Sequence, residues 1–120
     1  MGINVLVVDD DFINRKLLLT MLKKSASVAN VIEAENGQDA LNKVEGQAID
    51  LILLDIVMPV MNGVEFLKAI REMRAHSHIP IAILSTDDSK KTETLNLGAN
   101  AFLTKPIRET DLINLIESWF

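Results

Sequence analysis

Leu51-Ile52-Leu53-Leu54-Asp55, with Met58-Pro59 just beyond, is the stretch on which the reading of this 120-residue chain turns. An unbroken apolar run of this length describes a strand buried on both faces, which is the signature of a parallel sheet covered by helices. A carboxylate at the mouth of such a strand is costly to bury unless something compensates it. Two other runs end in charge. Val7-Val8-Asp9-Asp10-Asp11 ends in acids, and Leu103-Thr104-Lys105-Pro106 ends in a cation.

Outward from these runs, apolar strands alternate with amphipathic stretches along the whole chain. Ile3 to Val8 reads as a first strand, and Ile13, Leu17, Leu18, Met21 and Leu22 then recur at helical spacing. Val28 to Ala34 reads as a second strand. Asn36-Gly37 punctuates, and Ala40, Leu41 and Val44 mark a short helix ending near Gly46. After the strand Leu51 to Leu54, a helix begins near Asn62-Gly63 and carries Val64, Leu67, Ile70 and Met73. A fourth strand, Ile81 to Leu84, follows Pro80. The weakest helix is Asp88 to Leu97, apolar only at Leu95 and Leu97, with Gly98 as its C-terminal cap. Ala101 to Thr104 is a short fifth strand. Leu112, Ile113, Ile116, Trp119 and Phe120 form the apolar stripe of a final helix. Five β-α units in series predict an α/β domain with a doubly wound parallel sheet and helices on both faces.

Bulk properties agree with this reading. The length suits one domain with a real core, and 48% apolar residues exclude disorder. No apolar run is long enough to span a bilayer, and the N-terminus lacks the basic-then-apolar pattern of an export signal. The expected compartment is therefore the cytoplasm, with no membrane contact. The chain has no cysteine, which removes disulfides and thiolate metal sites. A net charge of −5 argues against direct nucleic-acid binding.

Ligands of open α/β sheets bind beyond the carboxyl ends of the strands. Those ends carry Asp9, Asp10 and Asp11, then Asp55, then Ser85, Thr86, Asp87 and Asp88, and finally Thr104 and Lys105. Carboxylates crowded into one small site raise each other's pKa values. A hard divalent cation resolves this, and Mg2+ accepts such oxygen ligands alongside waters and phosphate oxygens. Asp10 and Asp55 could each supply one oxygen, and Asp9 could act directly or through a water. No histidine or cysteine stands at these ends, so zinc is not expected; His76 and His78 read as exposed loop residues. A carboxylate is also a nucleophile that can form an acyl phosphate. Phosphoryl transfer needs positioning and charge neutralisation, which Mg2+, Lys105 and the Ser85 hydroxyl could provide. Backbone amides past the strand ends, those of Ile56 and Thr86, could add donors. Asp11 reads as the N-cap of the first helix.

The order of these motifs resembles the receiver domain of two-component response regulators, over essentially the whole chain, residues 1–120. The residues that carry the resemblance are Val8-Asp9-Asp10, Leu54-Asp55, Met58-Pro59, Gly63, Ser85-Thr86 and Lys105-Pro106. It implies a flavodoxin-like strand order 2-1-3-4-5. It also implies that Asp55 is the phosphoacceptor and that Asp9 and Asp10 hold Mg2+ with Asp55 and the backbone carbonyl of Val57. Ser85 matches the switch hydroxyl, Phe102 the switch aromatic and Lys105 the family's lysine. The Lys105–Pro106 bond is expected to be cis. The implied partners are a sensor histidine kinase or histidine phosphotransfer protein and a downstream protein target, the domain being a monomer or a phosphorylation-dependent dimer. Asn14, Leu17, Leu18 and Met21 on the first helix are candidates to face the kinase. The surface of helix four, strand five and helix five is expected to switch.

Two positions depart from the usual pattern. Thr86 stands where a small residue is common, and Phe102 lacks a phenol hydroxyl. Asp87 is a candidate to orient a hydrolytic water, whereas Val57 is apolar and unsuited to that task, which predicts a long-lived acyl phosphate. The chain is not expected to be an enzyme beyond its own phosphorylation and dephosphorylation. Because no output segment follows Phe120, it is either a stand-alone regulator or a receiver from a longer protein. Two alternatives share the motifs. A haloacid-dehalogenase-like phosphatase would use Asp9 as nucleophile, though Ile13 breaks its usual motif. A pseudo-receiver would only bind a partner.

Overall fold

The structure is a computed structural model that describes residues 2–56, 58 and 61–120. Its elements follow the β-α order expected from the sequence. They are β1 (Ile3–Val8), α1 (Phe12–Leu22), β2 (Val28–Ala34), α2 (Gly37–Gly46), β3 (Leu51–Asp55), α3 (Gly63–Glu72), β4 (Ile81–Ser85), α4 (Lys91–Asn96), β5 (Ala101–Thr104) and α5 (Glu109–Trp119). A 3-10 turn, Asp88–Lys90, leads into α4. The strands form one parallel sheet in the order β2-β1-β3-β4-β5.

Side-chain alternation along the central strands builds a core on each face. Leu6, Val8, Ile52, Leu54, Ile81 and Ile83 point to one side, where Ala40 and Val44 of α2 and Phe66, Leu67 and Ile70 of α3 cover them. Val5, Val7, Leu51, Leu53, Ala82 and Leu84 point to the other, against Leu18 and Leu22 of α1 and Leu112 and Ile116 of α5. Burial on both faces is why β3 has no polar alternation; every residue of β3 and β4 is buried. β2 lies at the edge and is only partly covered, with Ala29 and Asn30 exposed.

Three helix starts show their cause. Asp11 caps α1, its carboxylate accepting from the amides of Ile13 (2.9 Å) and Asn14 (3.4 Å). Asn36 caps α2 by accepting from the amide of Asp39 at 2.8 Å. Asn62 and Glu65 form a reciprocal capping box at the start of α3.

Three expectations from periodicity need correction. Ile13 belongs to the apolar stripe of α1, yet it is 67% exposed; Leu17, a candidate for the partner-facing side, is 54% exposed. The core takes Leu18 and Leu22 from an adjacent strip of the same helix. Phe120 lies past the end of α5 and is 48% exposed, while Trp119 is half-buried against the α1–α5 core. On α4, Leu95 is exposed and the fully buried residue is Thr94. The Thr94 hydroxyl donates back to the carbonyls of Lys90 (2.9 Å) and Lys91 (3.1 Å), which is how a polar side chain can be buried there without loss.

Candidate acidic site at the carboxyl ends of the strands

The strand order places β1, β3 and β4 side by side, so their carboxyl ends form one shallow bowl. Both β3 and β4 extend one residue further than the apolar runs alone indicate. Asp55 and Ser85 are therefore the last ladder residues and are fixed by the sheet, Asp55 opposite Leu84 and Ser85 opposite Thr104. Gly63 holds the far wall of the bowl. Its amide donates to the carbonyl of Ile56 at 2.8 Å. A Cβ there would stand 2.4 Å from the carbonyl oxygen of Asp55 and 2.7 Å from Cα of Ile56, so only glycine permits this approach.

Asp9, Asp10 and Asp55 each offer a carboxylate oxygen within 4.8 Å of the others. Asp9 is 2% exposed and Asp55 9% exposed, whereas Asp10 stands open to solvent. Lys105 reaches into this group. Its Nζ lies 3.3 Å from Oδ1 of Asp55 and 3.4 Å from Oδ2 of Asp9. Oδ1 of Asp9 accepts from the amide of Asp11 at 2.8 Å. Burial pushes the Asp55 carboxyl above its ordinary pKa. Lys105 pulls it back, Asp9 pushes it up again, and the Ile56 amide lowers it. The donor set is all hard oxygen and carries more negative charge than one lysine balances, which fits a small divalent cation.

Of the remaining expected residues, Ser85 is 5% exposed, and its Oγ accepts from the amide of Asp87 at 3.0 Å. Thr86 is exposed at the rim. Phe102 is half-buried against the α2–α3 core. Val57, expected to offer a carbonyl, lies outside the described residues, as does Pro59. The Lys105–Pro106 bond is cis. The carboxylate of Asp87, a candidate to orient water, is engaged locally. It caps the 3-10 turn by accepting from the amide and hydroxyl of Ser89, and those bonds lower its pKa.

A groove of about 390 Å³ opens beside the bowl between α1 and the segment after β5. Asn14, Leu17, Leu18 and Met21, the residues expected to face a kinase, all line it. Thr86, Pro106 and Ile107 complete the opposite wall. Pro106 and Ile107 were not singled out in the sequence as wall residues. Their only signal is that the loop following Lys105 must pass α1, and that depends on tertiary placement.

A doubly wound parallel sheet with a carboxylate cluster and a lysine at its carboxyl edge defines a class of phosphoacceptor folds. The response regulator receiver domain family matches residues 5–117, and the chain belongs to it; it is a receiver domain of two-component signalling. It is 41% identical, over 92% of its length, to a protein-glutamate methylesterase/protein-glutamine glutaminase of Clostridium acetobutylicum, of which it spans 32%. Among solved structures, chemotaxis response regulator CheY4 of Vibrio cholerae superimposes with TM-score 0.90 at 33% identity, each chain covered in full. The receiver domain of sensor histidine kinase PA1611 from Pseudomonas aeruginosa, with a magnesium ion in its active site cleft, superimposes with TM-score 0.88 at 26% identity over 99% of this chain and 98% of that one. Relatives in Dictyostelium discoideum and Arabidopsis thaliana match as well, so membership does not fix a bacterial origin. Among the described residues no helix is long and apolar enough to cross a membrane.

Proposed function

We propose that Asp55 accepts a phosphoryl group from a phosphohistidine donor, and that the acyl phosphate so formed is the signal this domain carries. The observation that carries the reading is the bridge of Lys105 between Asp9 and Asp55 inside a three-carboxylate cluster. A carboxylate oxygen of Asp55 attacks phosphorus in line with the donor nitrogen. The P–O bond forms as the P–N bond breaks, and the imidazole leaves. Lys105, already against Oδ1 of Asp55, is placed to pair with a phosphoryl oxygen. The Ser85 hydroxyl would donate to another, and the amides of Ile56 and Thr86 would donate to the remaining oxygens.

Asp9, Asp10 and Asp55 are the residues that would hold Mg2+, which when bound offsets the carboxylate and phosphoryl charge. The PA1611 receiver, with its magnesium ion, supports this assignment. The bound phosphoryl group is read out through Ser85, Phe102 and the α4–β5–α5 surface by a downstream protein. The donor, a sensor histidine kinase or phosphotransfer protein, is proposed to seat on the groove beside α1, where Leu17 offers exposed apolar surface. The chain acts in this reading as a phosphoacceptor in the cytoplasm rather than as an enzyme. The phosphatase alternative, with Asp9 as nucleophile, finds Asp9 buried with both oxygens already engaged.

Incubation with Mg2+ and acetyl phosphate, followed by intact-mass measurement, tests the chemistry. Wild type should gain the mass of one phosphate and Asp55→Ala should gain none. Equal labelling of the two, or labelling lost only in Asp9→Ala, would remove Asp55 from its role.

A further inference from the structure

Asp10 differs from its two neighbours in the cluster. The carboxylate of Asp9 is gripped by the Asp11 amide and Lys105, and that of Asp55 by Lys105. Asp10 is exposed, and among the described residues its carboxylate has no hydrogen-bond partner. Its direction is therefore set by the backbone turn between the end of β1 and the start of α1.

One side chain holds that turn. The Nη1 of Arg15 donates to the carbonyl oxygen of Asp9 at 2.6 Å, which is the oxygen of the Asp9–Asp10 peptide. A charge-assisted bond this short fixes the peptide plane from which Asp10 projects. Arg15 is itself anchored. Its Nε lies 3.3 Å from Oε1 of Glu33 on β2, and Lys16 occupies the other oxygen of that carboxylate at 2.8 Å. These contacts lower the pKa of Glu33, the Lys16 hydrogen bond most. Lys43 of α2 ties the same strand position from the far side, donating to the Glu33 carbonyl at 2.6 Å. The Arg15 side chain is only 13% exposed, and its guanidinium lies 5.7 Å from the Phe12 ring. The guanidinium reaches Glu33 and the Asp9 carbonyl from two separate nitrogens, Nε and Nη1, held apart in a rigid plane, whereas a lysine brings all its donors to one nitrogen.

We infer that Arg15 is a positioning residue that aims Asp10 at the cation site, with Glu33 as its anchor. The inference rests on the proposed Mg2+ reading of the acidic cluster. Groups that orient a ligand without touching the metal commonly govern its affinity by 10–100-fold. Electrostatics alone makes the opposite demand. Arg15 is a cation near a cation site, so deleting it without loss of geometry should tighten Mg2+ binding.

Isothermal titration of unphosphorylated protein with Mg2+ separates the two. Wild type, Arg15→Ala and Arg15→Lys are compared, with melting curves recorded in the absence of metal. Positioning predicts that the Mg2+ Kd rises about tenfold in Arg15→Ala and moves in the same direction in Arg15→Lys, which keeps the charge but loses the fork. A purely structural role lowers the melting temperature and leaves the Kd of the folded protein alone. A Kd equal to or below wild type in Arg15→Lys overturns the inference, and that variant decides the matter if Arg15→Ala does not fold. If wild type itself binds no Mg2+, the cation reading of Asp9, Asp10 and Asp55 falls, and this inference falls with it; binding by wild type with unchanged variants removes only Arg15.

Discussion

Asp55 is held in a state that costs folding energy at neutral pH. Its pKa is raised, chiefly by burial, so the ionised form is better solvated in the unfolded chain. A carboxyl with a raised folded-state pKa contributes stability that is fully present below its ordinary value of 3.8 and is lost as pH rises through the folded value. Asp55→Asn should therefore melt higher than wild type at pH 7. The gap should close as pH falls below 3.8, where the aspartate is neutral in both the folded and the unfolded chain. Melting curves across this range check it; a gap that widens on acidification would contradict the assignment of burial as the cause. Gly63 is the second decisive residue. Gly63→Ala drives a methyl into the Asp55 backbone and should cost about 1–3 kcal/mol in denaturant unfolding, whereas Gly46→Ala, with open space around it, should cost nothing or stabilise the helix end.

At the scale of elements, α1 and α4 each serve two masters. α1 gives Leu18 and Leu22 to the core and leaves Phe12, Ile13 and Leu17 exposed beside the acidic bowl. Its apolar stripe is wider than packing requires, and Leu17 from the excess joins Asn14, Leu18 and Met21 in one wall of the groove. α4 is tethered unequally at its two ends. Beyond its C-terminus, Arg71 of α3 donates to the carbonyl of Gly98 through Nε (3.0 Å) and Nη2 (2.8 Å). The same guanidinium binds the carbonyls of Ser77 and Ile79 and the side chain of Asn100. At the other end, the hydroxyl of Thr104 donates to Asp88 in the 3-10 turn, an exposed contact. Elements with little buried apolar area open first. Thr104→Val should therefore speed amide hydrogen exchange in residues 86–94 several-fold while leaving α3 and the central strands unchanged. Uniform acceleration throughout the domain would mean that the contact supports global stability instead.

The whole molecule is two cores sharing one sheet, and every central strand belongs to both. Removal of one large side chain from either should be felt globally. Phe66 is completely buried among the α2–α3 contacts, and Phe66→Ala should cost about 3–5 kcal/mol in denaturant unfolding. Leu112→Ala, on the opposite face, should cost about 2–5 kcal/mol. Both losses should appear as a single transition, since the sheet couples the faces; two resolved transitions would show that the cores melt separately.

Much of this was legible in the sequence. The order of elements, the parallel sheet and the residues at its carboxyl edge follow from local pattern, because strands buried on both faces lose polar alternation and leave their polar residues only at the ends. Asp9, Asp10, Asp55, Ser85 and Lys105 could be singled out for that reason. Tertiary structure decided what pattern leaves open. It chose which strip of α1 faces inward, placed Thr94 rather than Leu95 under α4, and engaged Asp87 with Ser89. Gly63 against Asp55 and Arg15 against the Asp9 carbonyl are likewise contacts made by the fold. Periodicity reports which residues share a face, whereas these choices depend on how one element is rotated and translated against another, and that is settled only when the cores pack.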